Sequence, residues 1–400
     1  MAYQYYVLAN SGVNIKSVWI MRLKSYYKSP GYLKTRELFK RVDCTDLVIA
    51  QSKRVEDDVK RLKSIAMMKY EPCNDVGSQC KEPYPCGYTS WCWRNEAVPS
   101  PNVFEIGFGK NNKKFTKEVK AKVYADKLTF TDILDRADEL GLNVPQQKQV
   151  KATLNPDIDK KELIDIKMIQ NFLDELEYPV YHLDFETFQQ AIPTYIGVSP
   201  YNQIPFQYSL HIQKDADDKN PEHREHLAKE GFDPRKEIAS KLYDALKDIG
   251  SGTVLAYNVG FERSVIKNLA EWFEEDTSVP QGMCELFRKI SDNKTGQMKD
   301  LMIPFQNGSY YHPEMGRSAS IKSVLPAVLG RDPYEDLTDI KNGGDAMTIF
   351  PILHEKPKKE REKLREALIK YCTLDTQAMV WVLEELYKAV KKKNTRRQYL

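Results

Sequence analysis

The sequence has neither a long apolar run nor a marked excess of charge of one sign. No stretch has the roughly 20 apolar residues that a transmembrane helix needs, and the N-terminus lacks a basic segment followed by an apolar one. The 60 basic and 57 acidic residues leave a net charge of +3. These absences predict a cytoplasmic protein without a membrane partner. They argue against a strongly basic surface but leave room for a local basic groove.

Internal repeats and long low-complexity segments are also lacking. The 400 residues are enough for two or three domains, and hydrophobic residues make up 41% of them, which permits a sizeable core. From residue 178, strand and helix patterns alternate, which predicts an α/β domain with a mixed sheet flanked by helices. We expect a first module over 1–98, a mainly helical connecting region over 99–177, the α/β domain over 178–393 and a basic tail over 394–400.

Two carboxylates stand out on one predicted strand. Residues 180–187 (VYHLDFET) have the apolar character of a strand in a buried sheet, and Asp184 and Glu186 share one face because side chains alternate along a strand. Two buried carboxylates repel each other and are costly to hold together without a cation. Hard oxygen ligands favour Mg²⁺ or Mn²⁺, so the pair predicts a metal site.

Two later segments supply further groups of the same kind. Glu262 follows a predicted strand over 252–257 and falls in the first helical turn, at the sheet edge where open α/β sheets bind ligands. Tyr371 and Asp375 are four residues apart on a predicted helix and share a face. Asp375 could complete the metal ligands, and Tyr371 could orient a water molecule. Phosphodiester hydrolysis needs both roles.

In this order, the three segments resemble the motifs of DEDD-type 3′→5′ exonucleases of the tyrosine variant, DEDDy. The matching patterns are Asp184-x-Glu186, Asn258-x-x-Phe261-Glu262 and Tyr371-x-x-x-Asp375. The resemblance implies an RNase H-like fold over about 178–393 and a two-metal mechanism. It implies that two Mg²⁺ or Mn²⁺ ions are held by Asp184, Glu186, Glu262 and Asp375, and that Tyr371 positions the water. The family usually has Asp where this chain has Glu262. We expect an exonuclease that acts on the ends of single-stranded DNA or RNA.

Further polar residues are candidates for binding the substrate. Asn258 belongs to the second motif, and Arg317 and Lys322 flank the start of a predicted helix whose backbone N–H groups could hold a phosphate. The alternative for that helix is that Ser320 is an ordinary N-cap, and both can be true. Asp300 is either an accessory acid or a cap of a turn.

The cysteines are unevenly placed, and four of the seven lie between residues 73 and 92. In a reducing cytoplasm such a group indicates a metal more than disulfides. Cys80, Cys86 and Cys92 stand among aromatic residues, without the paired Cys-x-x-Cys spacing of common zinc sites. This segment resembles the C-terminal cysteines of RecB-like nucleases that carry a 4Fe–4S cluster. The fourth ligand would be Cys73, with Cys44 a poorer candidate. The alternatives are Zn²⁺ or reduced thiols without metal. Cys284 and Cys372 are expected to be ordinary thiols.

The rest of the first module supports that comparison. A predicted helix containing residues 4–6, followed by a predicted strand over 13–23, resembles the last helix and strand of the RecB-like core. The Asp and Glu-x-Lys motif of that core has no counterpart, so we expect a truncated module without nuclease activity. The whole arrangement resembles an uncharacterised bacterial family that joins a RecB-like module to a domain of unknown function. The alternative function is a nucleic-acid-binding iron–sulfur accessory protein with a degenerate nuclease domain. If Glu262 points away from Asp184, the metal site is incomplete.

Overall fold

The computed structural model describes residues 1–72, 76–80, 84–94, 101–108 and 112–397. By their contacts, residues Met1–Asp75 with Gln189–Asn202 form one compact unit, and Val76–Phe188 with Gln203–Leu400 form the other. The second unit therefore includes Cys80, Cys86, Cys92 and the connecting region as well as the α/β domain, whereas the sequence divides these parts at residues 98 and 177. Within the described ranges, no helix combines the length and apolarity that crossing a membrane requires. The compartment stays a prediction.

The first unit contains three helices and a two-stranded antiparallel sheet. Its elements are α1 (Ala2–Asn10), β1 (Trp19–Leu23), α2 (Thr35–Leu38), β2 (Phe39–Asp43) and α3 (Thr45–Ala66). α1 contains residues 4–6 and so confirms the helix that the sequence predicts there, and α3 is the long helix of this unit. The strand begins at Trp19 and not at residue 13, because β2 offers only five residues for pairing, from Asp43 opposite Trp19 to Phe39 opposite Leu23.

The first part of the second unit is mainly helical. Its helices are α4 (Thr89–Cys92), α5 (Lys117–Ala125), α6 (Phe130–Asp135), α7 (Ala137–Leu140), α8 (Val144–Leu154) and α9 (Ile166–Asp174). Side chains cap the N-termini of several of them, because Thr129, Asn143 and Asp165 each accept a hydrogen bond from a backbone N–H of the first turn. A small hydrophobic core that includes Phe104 and Phe130 lies between these helices.

The α/β domain is built on a mixed five-stranded sheet, which confirms the prediction. Its strands are β3 (Val180–Phe188), β4 (Ile204–Gln213), β5 (Glu222–Leu227), β6 (Thr253–Ala256) and β7 (Met298–Asp300). Their order across the sheet is β5-β4-β3-β6-β7. β3 is antiparallel to β4, β4 is antiparallel to β5, and β3-β6 and β6-β7 are parallel pairs. The strand that carries Asp184 and Glu186 is therefore central and is covered on both faces.

The helices that flank the sheet complete the domain. They are α10 (Arg235–Leu246), α11 (Gly260–Trp272), α12 (Met283–Ser291), α13 (Ile303–Gln306), α14 (Ile321–Leu329), α15 (Gly343–Ile349) and α16 (Lys358–Arg397). α16 packs against β3 and β4 and so brings the C-terminal motif to the carboxylate strand. The predicted strands over 180–187 and 252–257 correspond to β3 and β6, whereas the sequence predicts neither β5 nor β7. The exposed, polar edge strand β5 has no apolar alternation, and β7 has only three residues.

Candidate metal centre

Three predicted metal ligands meet at the centre of the sheet. A carboxylate oxygen from each of Asp184, Glu186 and Asp375 lies within 4.8 Å of the other two. Asp184 and Glu186 share one face of β3, and α16 crosses this face and places Asp375 there. Asp184 and Asp375 are half-buried while Glu186 is buried, so the group lies at the edge of solvent and not in a closed core.

Glu262, the fourth predicted ligand, lies near this group but is not one of the three acids whose oxygens lie within 4.8 Å of one another. It is 4% exposed and lies in the first turn of α11, immediately after β6. Its charge raises the pKa values of Asp184 and Glu186, so it is close enough to repel both. Within the described part of the chain, its buried Oε2 atom has no hydrogen-bond partner. We call Asp184, Glu186, Glu262 and Asp375 the carboxylate cluster.

The carboxylate cluster is electrostatically strained. Burial, followed by repulsion from the neighbouring acids, raises the pKa of Asp184 well above its usual range and the pKa of Glu186 to about 8. Burial also raises the pKa of Glu262 to about 8 and that of Asp375 to about 6. The donor set consists of hard oxygen atoms, and one buried oxygen has no partner. This chemistry fits Mg²⁺ or Mn²⁺, which would remove the repulsion.

Two tyrosines contact one of these acids. The hydroxyl of Tyr334 donates a hydrogen bond to Oδ1 of Asp375 at 2.5 Å, and Tyr371 also hydrogen-bonds this carboxylate. The two rings are 6.4 Å apart. Burial and the charge of Asp375 raise the pKa values of both phenols, so both remain protonated donors at neutral pH. The sequence predicts Tyr371 but misses Tyr334, which lies in a short 3₁₀ turn with no feature that points to the site.

A thiol also contacts the carboxylate cluster. The Sγ atom of Cys372 lies 3.7 Å from Oδ2 of Asp184 and donates to it. Cys372 is fully buried, and burial together with the charge of Asp184 raises the pKa of the thiol. The sequence predicts an ordinary thiol for Cys372, and the structure adds its contact with Asp184. The thiol stays protonated there and serves as a weak donor.

A polar network fixes the position of Asp375 on α16. The next residue, Thr376, is fully buried, and its hydroxyl lies 2.7 Å from Oγ of Ser209 and 2.8 Å from Nδ1 of His211. Ser209 lies opposite Asp184 in the β3-β4 register. Burial, and then its histidine neighbours, lower the pKa of His211 to about 3, so the ring is neutral. These bonds attach α16 to the sheet one residue beyond the metal-facing acid.

The three predicted substrate-binding residues are all exposed. Lys322 is exposed, and its charge lowers the pKa values of Glu186 and Asp375, so it lies on their side of the domain. Arg317 and Asn258 are exposed and line one pocket. Ser320 occupies the N-cap position of α14, but its side chain makes no capping hydrogen bond.

Asp300 is a turn cap, which is one of its two predicted roles. Its Oδ1 accepts hydrogen bonds from the backbone N–H groups of Asn258 and Met302, both at 2.9 Å. The backbone of Asn258 is left-handed, with φ 66°, so the bond from Asp300 holds an unusual conformation in place. Asp300 also contributes to the raised pKa of Glu262 and therefore lies near the carboxylate cluster.

The cysteine segment has a local fold. The N–H of Cys86 donates to the carbonyl of Cys80 at 2.8 Å, the Thr89 hydroxyl donates to the carbonyl of Cys86 at 2.7 Å, and Cys92 ends α4. No three cysteines of the described ranges bring their sulfur atoms within 4.8 Å of one another. Cys73 lies outside the described residues. A 4Fe–4S cluster or Zn²⁺ in this segment therefore stays a prediction.

Comparison with known proteins gives one similarity. Residues 181–320 match the family model described as a domain of unknown function, DUF2779. This stretch contains Asp184, Glu186 and Glu262 and ends before Tyr371 and Asp375. No curated protein and no solved structure matches the chain.

Proposed function

We propose that the chain is a metal-dependent 3′→5′ exonuclease that hydrolyses single-stranded DNA or RNA by a two-metal mechanism. The observation that carries this proposal is the convergence of Asp184, Glu186 and Asp375, with Glu262 close enough to raise the pKa of Asp184 and with its buried Oε2 without a partner in the described chain. Four acids held against mutual repulsion suit a site that binds cations. Two bound Mg²⁺ or Mn²⁺ ions would stabilise the charge that develops on the attacking and leaving oxygens.

The chain's own residues have separate tasks in this proposal. Asp184, Glu186, Glu262 and Asp375 hold the two ions. The Tyr371 hydroxyl donates to Asp375 and can orient the attacking water by accepting a hydrogen bond from it, while Tyr334 holds Asp375 in place. Lys322 offsets part of the negative charge and is available to a substrate phosphate. An RNase H-like fold is supported by the mixed sheet, the central position of β3 and the crossing of α16 over the acid-bearing face.

The proximity of Glu262 favours the nuclease over a degenerate binding domain. A degenerate site is expected to have lost an acid, whereas Glu262 is buried and its charge still raises the pKa values of Asp184 and Glu186. We also propose that the cysteine segment belongs to a truncated RecB-like module and holds a 4Fe–4S cluster or Zn²⁺. The turn that joins Cys80, Cys86 and Thr89 supports this assignment by keeping two of the cysteines close along the backbone.

The experiment is a time course on 5′-labelled single-stranded DNA and RNA with Mn²⁺ or Mg²⁺. Wild type, Asp184→Asn and an EDTA sample run side by side. Asp248→Asn, which changes an exposed acid away from the site, is the matched control. We expect a ladder of labelled strands shortened from the 3′ end in wild type and control, and none with EDTA or in Asp184→Asn. Cooperative thermal unfolding of Asp184→Asn confirms that it is folded. Absence of a metal-dependent ladder on both strands contradicts the proposal.

A further inference from the structure

The α/β domain has a pocket of about 640 Å³. Its lining comes from the two residues after β6, from α13 and its flanks, from residues 317–320 and from the first residue of α14, and the upstream region contributes Phe108 and Asn143. Asn258 in its wall precedes Glu262 by four residues, and Ile321 directly precedes Lys322. Two segments of its wall therefore continue directly into residues of the proposed metal centre, and its volume is in the range of small-molecule sites.

One part of this pocket is apolar and held rigidly. The Tyr257 hydroxyl donates to the carbonyl of Ala319 at 2.6 Å, which fixes the ring against the segment before α14. Phe108 has a left-handed backbone, with φ 53°; its N–H donates to the Arg317 carbonyl at 3.3 Å and its own carbonyl accepts from Asn143 at 3.0 Å. Flat, pre-organised aromatic surfaces of this kind suit the face of a nucleobase.

The polar side chains of the pocket are available to a ligand. Asn258, Gln306 and Arg317 line it, and none of their side chains hydrogen-bonds another residue in the described ranges. A side-chain amide offers a donor and an acceptor together, which is the pattern that a base edge presents. A guanidinium matches a phosphate through two parallel hydrogen bonds. The pocket therefore offers aromatic rings to the face of a base, side-chain amides to its edge and a guanidinium to a phosphate.

We propose that this pocket binds one nucleotide unit of the strand that is hydrolysed. The base lies against Phe108 and Tyr257, its edge meets Asn258 and Gln306, and its phosphate meets Arg317. This inference rests on the proposed function, because that function makes the ligand part of a nucleic-acid strand. It adds a contribution of the bases to the affinity for the substrate. Strand affinity then depends on the bases as well as on the charge of the backbone.

The test measures binding in EDTA, where neither metal nor hydrolysis is required. Fluorescence anisotropy follows 5′-labelled ten-nucleotide DNA and RNA strands, with an abasic strand of equal length and charge as comparison. Nucleoside 5′-monophosphates and inorganic phosphate serve as competitors. The variants are Arg317→Gln, Gln306→Leu and Asn258→Gly; glycine keeps the left-handed backbone at that position. Arg331→Gln, at an exposed arginine outside the pocket, controls for the loss of one positive charge.

We expect the abasic strand and each pocket variant to bind about tenfold or more weakly than the normal strand binds wild type, and Arg331→Gln to bind like wild type. Nucleoside monophosphates compete and inorganic phosphate does not. Equal binding of abasic and normal strands, unchanged binding by all three pocket variants, or no binding in EDTA overturns the proposal. Competition by mononucleotides without strand binding overturns the strand as the ligand. If strand binding depends on the pocket but no metal-dependent hydrolysis occurs, the result supports the pocket as a nucleotide site and contradicts the proposed exonuclease activity.

Discussion

The Tyr334 hydroxyl donates a 2.5 Å hydrogen bond to Oδ1 of Asp375, the acid that Tyr371 also contacts. Both hydrogen bonds lower the pKa of Asp375 and so oppose the effect of burial. The pKa of Asp375 is raised only to about 6, compared with about 8 for Glu186 and Glu262. Tyr334 thus keeps the proposed metal ligand Asp375 ionised near neutral pH. Tyr371, which lies on α16 together with Asp375, is placed to orient water.

The two tyrosines predict different phenotypes on conversion to phenylalanine. Tyr334→Phe removes a bond that stabilises the ionised form of Asp375, so the pKa of Asp375 rises. We expect about tenfold lower hydrolysis at neutral pH, a higher metal requirement and an acidic limb of the pH–rate profile moved to higher pH. Tyr371→Phe is expected to reduce the rate about 100-fold with a smaller change in the metal requirement. Metal titrations and pH–rate profiles of both variants test this prediction. Identical profiles in the two variants would contradict separate roles for Tyr334 and Tyr371.

The network around Thr376 predicts a loss of stability. Thr376→Val keeps the side-chain volume but removes the hydroxyl that bonds Ser209 and His211 inside the core. Leaving buried polar groups without their partner costs about 1–3 kcal/mol. We expect the unfolding free energy of Thr376→Val to fall by about this amount, and urea denaturation measures it. Thr373→Val is the control, because its hydroxyl makes only an exposed 3.1 Å bond to Glu225, and we expect a change below about 1 kcal/mol. Equal losses in the two variants would show that the network does not stabilise the fold.

The raised pKa values predict how pH changes the stability of the metal-free protein. Glu186 and Glu262 have folded pKa values of about 8, compared with 4.5 as the ordinary value of a glutamate. Between these values the folded state retains protons that the unfolded state releases, so unfolding free energy falls as pH rises from about 5 to 8. The slope approaches about 1.4 kcal/mol per pH unit for each fully responding group. Metal binding requires the ionised acids, so stabilisation by Mn²⁺ grows over the same interval.

Thermal unfolding from pH 5 to 9, with EDTA or Mn²⁺, measures both effects. Glu186→Gln removes one titrating group and is expected to flatten the dependence in EDTA. It also reduces the stabilisation by Mn²⁺. A melting temperature in EDTA that rises steadily from pH 5 to 8 would contradict the raised pKa values. If stabilisation by Mn²⁺ does not depend on pH, the metal does not bind to the carboxylate cluster.

The acids of the site could be predicted from the sequence, whereas their supporting residues could not. Asp184 and Glu186 are recognisable because a two-residue alternation in a buried strand fixes their common face, and Asp375 follows Tyr371 by one helical turn. Tyr334 and Ser209 carry no such pattern. Tyr334 comes from a short turn, and Ser209 lies in a strand that is buried along its whole length, so only tertiary packing gives either residue its role.

The same limit applies to the fold. The mixed sheet and the long helices are predictable because they have apolar periodicity over many residues. The edge strand β5 is missed since its sequence, EHREHL, is polar and its pairing with β4 decides its structure. Phe108 is missed as a pocket residue for a similar reason. Its position depends on bonds to Arg317 and Asn143, which are distant in sequence.

The cysteine segment predicts a chromophore. If Cys80, Cys86 and Cys92 hold a 4Fe–4S cluster, protein purified without oxygen is brown, with absorbance near roughly 400 nm and iron in metal analysis. Cys86→Ser removes both signals, and Cys284→Ser, at a cysteine outside the segment, keeps them. Zinc without iron assigns the segment to the alternative metal. Protein that contains neither metal after anaerobic purification contradicts a metal in this segment.

Glu262 provides the sharpest test of the carboxylate cluster, because one of its buried oxygens has no partner in the described chain. Glu262→Gln keeps the shape of the side chain but removes the charge that a cation requires. We therefore expect about 10- to 100-fold weaker metal binding and a similar loss of hydrolysis. In EDTA at pH 9 the same variant is expected to be more stable than wild type, since it no longer buries an ionised acid. Glu262→Asp retains the charge on a shorter side chain and is expected to keep measurable activity. Calorimetric metal titration and urea denaturation check these outcomes. Full metal affinity in Glu262→Gln would remove Glu262 from the site and restore the degenerate binding domain as the better reading.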